Sequence, residues 1–292
     1  MQNKTFSKHL IKGPQSIPLY VEIYGDVPSI KGTIVFIHGG YQSLQSFRRQ
    51  YPVLSQQYRI VGIDLPWHGE SNPIPHEIQG TPDIWADSVH AVLSSLNLIG
   101  QPLIIAFWSF GGFVMRHYLH KYGHHHFSGL ISIASLISGF PLYMQYFTEQ
   151  QKNESVFSTP ITPQSSAEQV FTLINQFVES LTKYKPSPAD YYMTYGYNAK
   201  VYLTATKNIV TAMMIEDLIG TPDLLKQLDL PVLLIQGKDD ALVSPLLTRH
   251  IAQLLPRSTL LEYDDCGHST FLEQSDRFNS DVQKFTHSIL NP

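Results

Sequence analysis

One cysteine, Cys266, stands in 292 residues, which excludes an intrachain disulfide and suits a reducing compartment. No apolar run approaches the roughly 20 residues that a membrane-spanning helix needs. Blocks of like charge are also missing; with a formal net charge of −4 and a sequence pI near 6.3, the chain has no basic footprint for nucleic acid or an anionic membrane surface. The first stretch, MQNKTFSKHLIKG, lacks the continuous apolar segment of a signal peptide. The expectation is a soluble, cytoplasmic protein whose partners are small molecules. Histidine is plentiful, with three adjacent at His124, His125 and His126. Because they follow Gly123, a helix stop, and three neighbouring side chains do not easily converge on one ion, a solvated loop is expected there and no metal site.

What is present is apolar material for one large core: 43% of the residues are hydrophobic. Short β-branched runs at 33 to 38, 59 to 64, 102 to 108, 130 to 135, 232 to 237 and 259 to 263 alternate with helical patterns. The helical patterns cover 44 to 56, 82 to 98, 110 to 122, 244 to 254 and 271 to 290. That alternation predicts an α/β fold with a mainly parallel sheet and helices on both faces. The segment IPLYVEIYG (17 to 25) alternates in polarity and is expected as an antiparallel edge strand. Between 138 and 229 the strand signal disappears in favour of amphipathic stretches such as AEQVFTLINQFVESL and a Tyr-rich segment, with STPITPQSS as a loop. This predicts a helical insertion, whose aromatic side chains serve packing more often than a pocket.

Four motifs lie just beyond the ends of expected strands. IAFWSFGG (105 to 112) carries Ser109. Gly111 supplies the second glycine of a G-x-S-x-G turn, and Phe107 takes the place of the first. IHGG (37 to 40) offers backbone NH groups, of Gly40 or Tyr41, to a developing oxyanion. GKDD (237 to 240) places Asp239 or Asp240 at a strand's C-terminal end, where carboxylates face the ligand crevice. CGHS (266 to 269) places His268 after the last strand. A nucleophilic serine needs a base, a group that orients the base, and NH donors for the oxyanion, and these motifs can supply all of them. Taken singly, each also reads as an ordinary turn or an isolated histidine.

Together with DLPWHGES (64 to 71), similar to a D-x-P-G-x-G-x-S stretch, and GHSTFLEQ (267 to 274), these motifs fall in the order of the α/β-hydrolase superfamily. Over nearly its whole length the chain resembles that family's esterase-like members with a helical cap. The resemblance implies a core from 1–137 and 230–292 with a cap (lid) at 138–229. It implies Ser109 as nucleophile, His268 as general base and acid, and Asp240 as the orienting acid, since the family aspartate stands at the end of G-x-x-D. Asp239 is the alternative. The oxyanion donors would be the NH groups of Gly40 and Phe110, with Tyr41 and Trp108 near the acyl or leaving-group pocket. The implied activity is cleavage of a carboxylic ester or related acyl compound through an acyl-enzyme, with no metal or organic cofactor.

Two departures from the family pattern carry expectations. Phe107 stands where the turn favours a small residue, so its ring should be met by small neighbours or a displaced adjoining strand. Trp67 replaces a glycine in DLPWHGES and is expected at the rim of the site. Cys266, two residues from His268, is not expected to act as a nucleophile, because side chains at that spacing rarely aim at one another. Glu273 is expected as a surface or helix-capping residue. The same triad could instead cleave a carbon–carbon, lactone or amide bond, and a non-catalytic ligand-binding protein on the same fold is the reading of another class. Tyr41 and Gln42 after the glycines depart from H-G-G-P-G, which weighs against a proline-iminopeptidase-like activity.

Overall fold

The apolar runs form the strands they predict. In the computed structural model, which describes residues 6–27, 30, 32–71, 74, 78, 80–147, 165–204 and 221–290, eight strands build one sheet. They are β1 (Phe6–Lys12), β2 (Pro18–Tyr24), β3 (Thr33–Ile37), β4 (Arg59–Ile63), β5 (Leu103–Trp108), β6 (Gly129–Ile133), β7 (Val232–Gly237) and β8 (Ser258–Tyr263). Their order is β1-β2-β4-β3-β5-β6-β7-β8. β3 through β8 pair in parallel, and only β1 and β2 run antiparallel to their neighbours. Every residue of β3, β5, β6 and β7 is buried, because helices cover both faces; two-sided burial is why these strands read as continuous apolar runs.

The edge expectation is corrected. β2 is antiparallel but internal, because β1 pairs with it along seven residues, from Phe6↔Tyr24 to Lys12↔Pro18. β1, FSKHLIK, is largely solvated, so its sequence lacks the alternation of a half-buried strand, while its lysines blunt the exposed edge against further pairing.

The helices are α1 (Tyr51–Leu54), α2 (Pro82–Ser95), α3 (Phe110–Tyr122), α4 (Phe140–Gln145), α5 (Ala167–Ser180), α6 (Pro188–Thr204), α7 (Thr221–Lys226), α8 (Pro245–Leu254), α9 (Thr270–Glu273) and α10 (Ser275–Leu290). α2 begins as its sequence dictates: Thr81 accepts the NH of Ile84, and Pro82 fills the first turn. α3 ends on Gly123, at a φ of 73°, a left-handed conformation that glycine adopts without strain.

Two expected helices are broken. In place of 44 to 56 stand a 3₁₀ turn, Leu44–Phe47, and the single turn α1. The NH of Leu44 is taken by Asp64, and the Tyr51 hydroxyl takes its carbonyl, the group that a longer helix would pair with the NH of residue 48. In place of 271 to 290, α9 and α10 are separated at Gln274, which leaves helical geometry at φ −125° and ψ 53°.

Across 138–229 the described residues hold helices α4 to α7 and no strand. Most of the loop STPITPQSS lies outside the described residues. α5 opens with a capping box between Ser166 and Gln169. This region meets the sheet domain through Asp190, which bridges Arg48 and Arg49. Further links are a bond from the Lys200 ammonium to the Gly69 carbonyl and one from the Ser269 NH to the Leu181 carbonyl. Among the described residues no helix is long and apolar enough to cross a membrane.

Candidate active site

The site gathers at the C-terminal ends of β3, β5, β7 and β8. Ser109 is the single residue between β5 and α3, at φ 51° and ψ −117°, a conformation that costs a side-chain-bearing residue on the order of 1–3 kcal/mol. Three backbone bonds hold it there. The Ser109 NH donates to the Ile133 carbonyl at 3.0 Å, and its carbonyl accepts from Gly112 and Leu136, both at 2.9 Å. The turn is tight because α3 closes directly onto the sheet. A Cβ on Gly111 would lie 2.9 Å from the Ile37 carbonyl, and one on Gly112 would lie 2.7 Å from the Ile137 nitrogen.

Phe107 does not open this turn. β5 keeps unbroken register with both neighbours, and Phe107 is opposite Ile37 on β3 and Ser132 on β6. Partners in a parallel ladder share a face, so the ring lies beside the short side chain of Ser132, whose hydroxyl turns to Ser135 at 2.7 Å. Of the two expected accommodations, the small neighbour is present and no strand is displaced.

β7 and β8 bring Asp240 and His268 together. His268 Nδ1 lies 2.8 Å from Asp240 Oδ2, with side chains 1% and 0% exposed. Asp240 is fixed by three further donors. Its Oδ1 accepts from the NH groups of Leu242 and Val243, at 2.8 and 2.9 Å, and Oδ2 accepts from Gln236 Nε2 at 2.8 Å. Gln236 is itself clamped by the Thr248 hydroxyl at 2.7 Å. A carboxylate only accepts, so the hydrogen at this contact belongs to Nδ1, and Nε2 is the ring nitrogen turned away from Asp240. Nε2 is buried and has no hydrogen-bond partner among the described residues.

His268 is tied to Trp108, the residue before Ser109. The Trp108 indole NH donates to the His268 carbonyl at 3.1 Å, and the two ring centroids are 5.3 Å apart. Trp108 packs edge-on against both Phe47 and Phe271, which meet each other at 4.6 Å, so packing as well as hydrogen bonding sets its position.

The IHGG loop closes on the same turn. A Cβ on Gly39 would approach Trp108 Cε3 to 2.9 Å and Ser109 Cβ to 3.2 Å, and one on Gly40 would touch Phe110 Cβ at 3.4 Å. Only a residue without a side chain lets the loop lie this close at position 39. Among the described residues, neither the Gly40 NH nor the Phe110 NH donates a backbone hydrogen bond. Both stay available to an acceptor near Ser109. Tyr41 adopts φ 60° and is buried, stacked on Tyr202 of α6 at 4.4 Å and edge-on to Phe177 of α5 at 5.6 Å.

The remaining candidates separate by environment. Asp239 faces outward to the Lys183 ammonium at 3.0 Å and does not meet His268. Cys266 is buried, and burial with the nearby Glu273 carboxylate pushes its thiol well above the ordinary range, so it stays protonated. Glu273 departs from the surface or capping role. It accepts the NH groups of Gly267 at 2.7 Å and Lys183 at 2.8 Å, tying the histidine loop to the end of α5. Trp67 is not at a rim either: it is buried at φ 66° and packs edge-on against Trp85 of α2, 5.4 Å away.

Two supporting groups escaped the sequence reading. Gln236 lies in an unremarkable apolar strand, and only the folded position of Asp240 gives it a role. Asp64 accepts the NH groups of Leu44 and Glu70 and so shapes DLPWHGES; the D at the head of that motif was its one signal. His126 bonds the Tyr118 hydroxyl at 2.6 Å. Among the described residues, no three His, Cys, Asp or Glu side chains are grouped to hold a metal ion.

A model of the α/β-hydrolase fold family matches residues 32–275. Among related sequences, the AB hydrolase superfamily protein YisY of Bacillus subtilis (strain 168) is 25% identical over 281 residues, covering 96% of this chain and 99% of that protein. The non-heme chloroperoxidase CPO-A1 of Kitasatospora aureofaciens is 26% identical over 270 residues, covering 86% and 91%. Among solved structures, the esterase RhEst1 from Rhodococcus sp. ECU1013 aligns with a TM-score of 0.79 at 23% identity, over 97% of this chain and 99% of that one. At that identity the structural likeness speaks for the fold.

Proposed function

Since the chain belongs to the α/β-hydrolase fold family, we propose that it is a serine hydrolase cleaving a carboxylic ester through an acyl-enzyme. The observation that carries this reading is the buried Asp240–His268 pair, locked on its carboxylate side with Nε2 unpartnered among the described residues, in a loop that Trp108, the residue before Ser109, holds by its indole NH.

The geometry supports the following roles. Asp240 keeps the Nδ1 proton in place and stabilises the imidazolium that forms when Nε2 takes the proton of Ser109. Ser109 Oγ attacks the ester carbon, and the carbonyl oxygen, gaining charge, moves toward the NH groups of Gly40 and Phe110. The tetrahedral intermediate collapses as His268 returns the proton to the leaving alcohol. A water then repeats the sequence on the acyl-enzyme, with His268 as base and then acid, and the carboxylic acid departs. No step draws on a metal or organic cofactor.

Residues 138–229 act in this reading as a cap over the site. Tyr41 packing on α5 and α6, and the Asp190 bridge to Arg48 and Arg49, support that assignment. Trp108 holds the histidine by its backbone and ring, and Tyr41 joins the cap to the oxyanion loop.

The test is labelling of folded protein with a fluorophosphonate and location of the adduct, together with turnover of a small activated aryl ester. Expected are an adduct on Ser109 and loss of nearly all turnover in Ser109→Ala. Undiminished turnover by that variant, or no adduct in folded protein, refutes the mechanism.

A further inference from the structure

The backbone on either side of His268 is bound to one short segment from the 138–229 region. The NH of Ser269, the residue after the histidine, donates to the Leu181 carbonyl at 2.9 Å. The NH of Gly267, the residue before it, donates to Glu273 Oε1 at 2.7 Å, and Glu273 Oε2 accepts the NH of Lys183 at 2.8 Å. Residues 181–183 are the strap that leaves the end of α5. Resting on the serine-hydrolase reading, we propose that Glu273 is a positioning residue for His268, and that it makes the placement of the histidine depend on the seating of this strap.

The two segments are in direct contact. A Cβ on Gly267 would lie 2.6 Å from the Lys183 nitrogen, 2.9 Å from the Thr182 carbonyl carbon and 3.1 Å from Glu273 Oε1. Gly267 lies outside the left-handed region, so it is the approach of the strap, and not a backbone dihedral, that calls for glycine there. Glu273 closes the single turn α9, and its side chain reaches back past His268 to Gly267. A carboxylate suits this bridge because it offers two acceptor oxygens, and here each takes an NH from a different segment. The Lys183 ammonium also reaches Asp239 and Asp265, at 3.0 and 2.7 Å. Those pairs are at the surface, with the Asp265 side chain 75% exposed, and exposed pairs contribute little. The Glu273 bridge and the Leu181 bond therefore carry the coupling.

The same helix touches the other side of the site. Phe177 of α5 is edge-on to Tyr41 of the oxyanion loop, while Leu181, just past the end of α5, holds Ser269. One seating of α5 thus sets both the loop that offers the Gly40 NH and the loop that carries His268. Asp240 fixes the imidazole at Nδ1, and Glu273 fixes the chain that bears it. A misplacement of about 1 Å in such a constellation costs on the order of 10²-fold in rate.

The experiment measures hydrolysis of a small activated aryl ester by Glu273→Gln and Gly267→Ala, with active sites counted by fluorophosphonate titration. In Glu273→Gln, one of the two NH groups meets the amide NH2 in place of an oxygen. In Gly267→Ala, the added methyl presses the strap away while the carboxylate is kept. Expected in both is a kcat per titrated site about 10- to 100-fold lower, with KM within about threefold of wild type. Asp265→Asn, which loosens only an exposed pair of Lys183, should keep kcat within about threefold. A kcat per titrated site in Glu273→Gln within about threefold of wild type overturns the proposal, even where less protein folds, because a purely structural role lowers the number of active sites and not their rate. Gly267→Ala serves alone if Glu273→Gln does not fold. Proton NMR reads the placement without turnover, through the Nδ1 proton of His268, identified by its disappearance in His268→Gln. In a protein whose Ser109 takes no label, a shift or broadening of that resonance in Glu273→Gln refutes the hydrolase reading and keeps the positioning; an unchanged resonance there refutes the positioning.

Discussion

Replacing Asp240 by Asn tests the whole catalytic arrangement with one atom. Each oxygen of this carboxylate accepts two donors: Oδ1 takes Leu242 NH and Val243 NH, and Oδ2 takes Gln236 Nε2 and His268 Nδ1. An asparagine must place its NH2 on one side. On the backbone side it strands two buried donors that had bonded a charged group, at about 1.5–3 kcal/mol each. On the histidine side it confronts Nδ1–H, forces the proton to Nε2, and removes the lone pair that accepts the serine proton. The tautomeric outcome lowers kcat by about 10⁴, equivalent to roughly 5.5 kcal/mol in the barrier. The backbone outcome lowers the melting temperature by several degrees, with a smaller loss of rate. Steady-state hydrolysis of an activated aryl ester, read beside a thermal melt, separates the two. Asp239→Asn is the control: its carboxylate meets Lys183 at the surface, and kcat should stay within about threefold, as for other exposed pairs. An Asp240→Asn enzyme with near-normal kcat and melting temperature, or one no worse than Asp239→Asn, refutes the assignment.

Two further outcomes follow from burial. The Asp64 carboxyl is pushed up to about 7, first by burial and despite the NH groups of Leu44 and Glu70. Because the folded chain holds this proton above the pH at which the unfolded chain releases it, the associated stability is complete below about pH 4 and is lost as pH rises to about 7. The loss is on the order of 4 kcal/mol at most. Denaturant midpoints should fall from pH 5 to pH 8 in the wild type and fall less in Asp64→Asn; equal slopes refute this. Cys266, buried and held protonated, should resist thiol reagents in native protein and react after unfolding, and Cys266→Ala should keep kcat within about threefold. Rapid labelling of native protein with parallel loss of turnover would reverse its exclusion as a reactive group.

The parallel sheet was legible in the chain, because two-sided burial demands continuous apolar strands, and four of them are buried at every residue. Strand ends followed by Gly-containing turns also placed Ser109, His268 and the GKDD pair at the C-terminal ends of strands of that sheet. Tertiary structure alone decided what local pattern does not encode. Asp239 and Asp240 are adjacent and chemically identical; the residues by themselves left both open, the family resemblance implied Asp240, and the fold brings the His268 ring to Asp240. β1 escaped the sequence reading because a solvated edge strand has no buried face to impose alternation. Glu273 and Gln236 acquired roles through partners 90 and four residues away. Phe107 shows the same division: its bulk was visible in the chain, but the vacancy beside it is the short side chain of Ser132 on a neighbouring strand. Burial periodicity is written locally, residue by residue, whereas the choice of partner depends on which distant surfaces pack together.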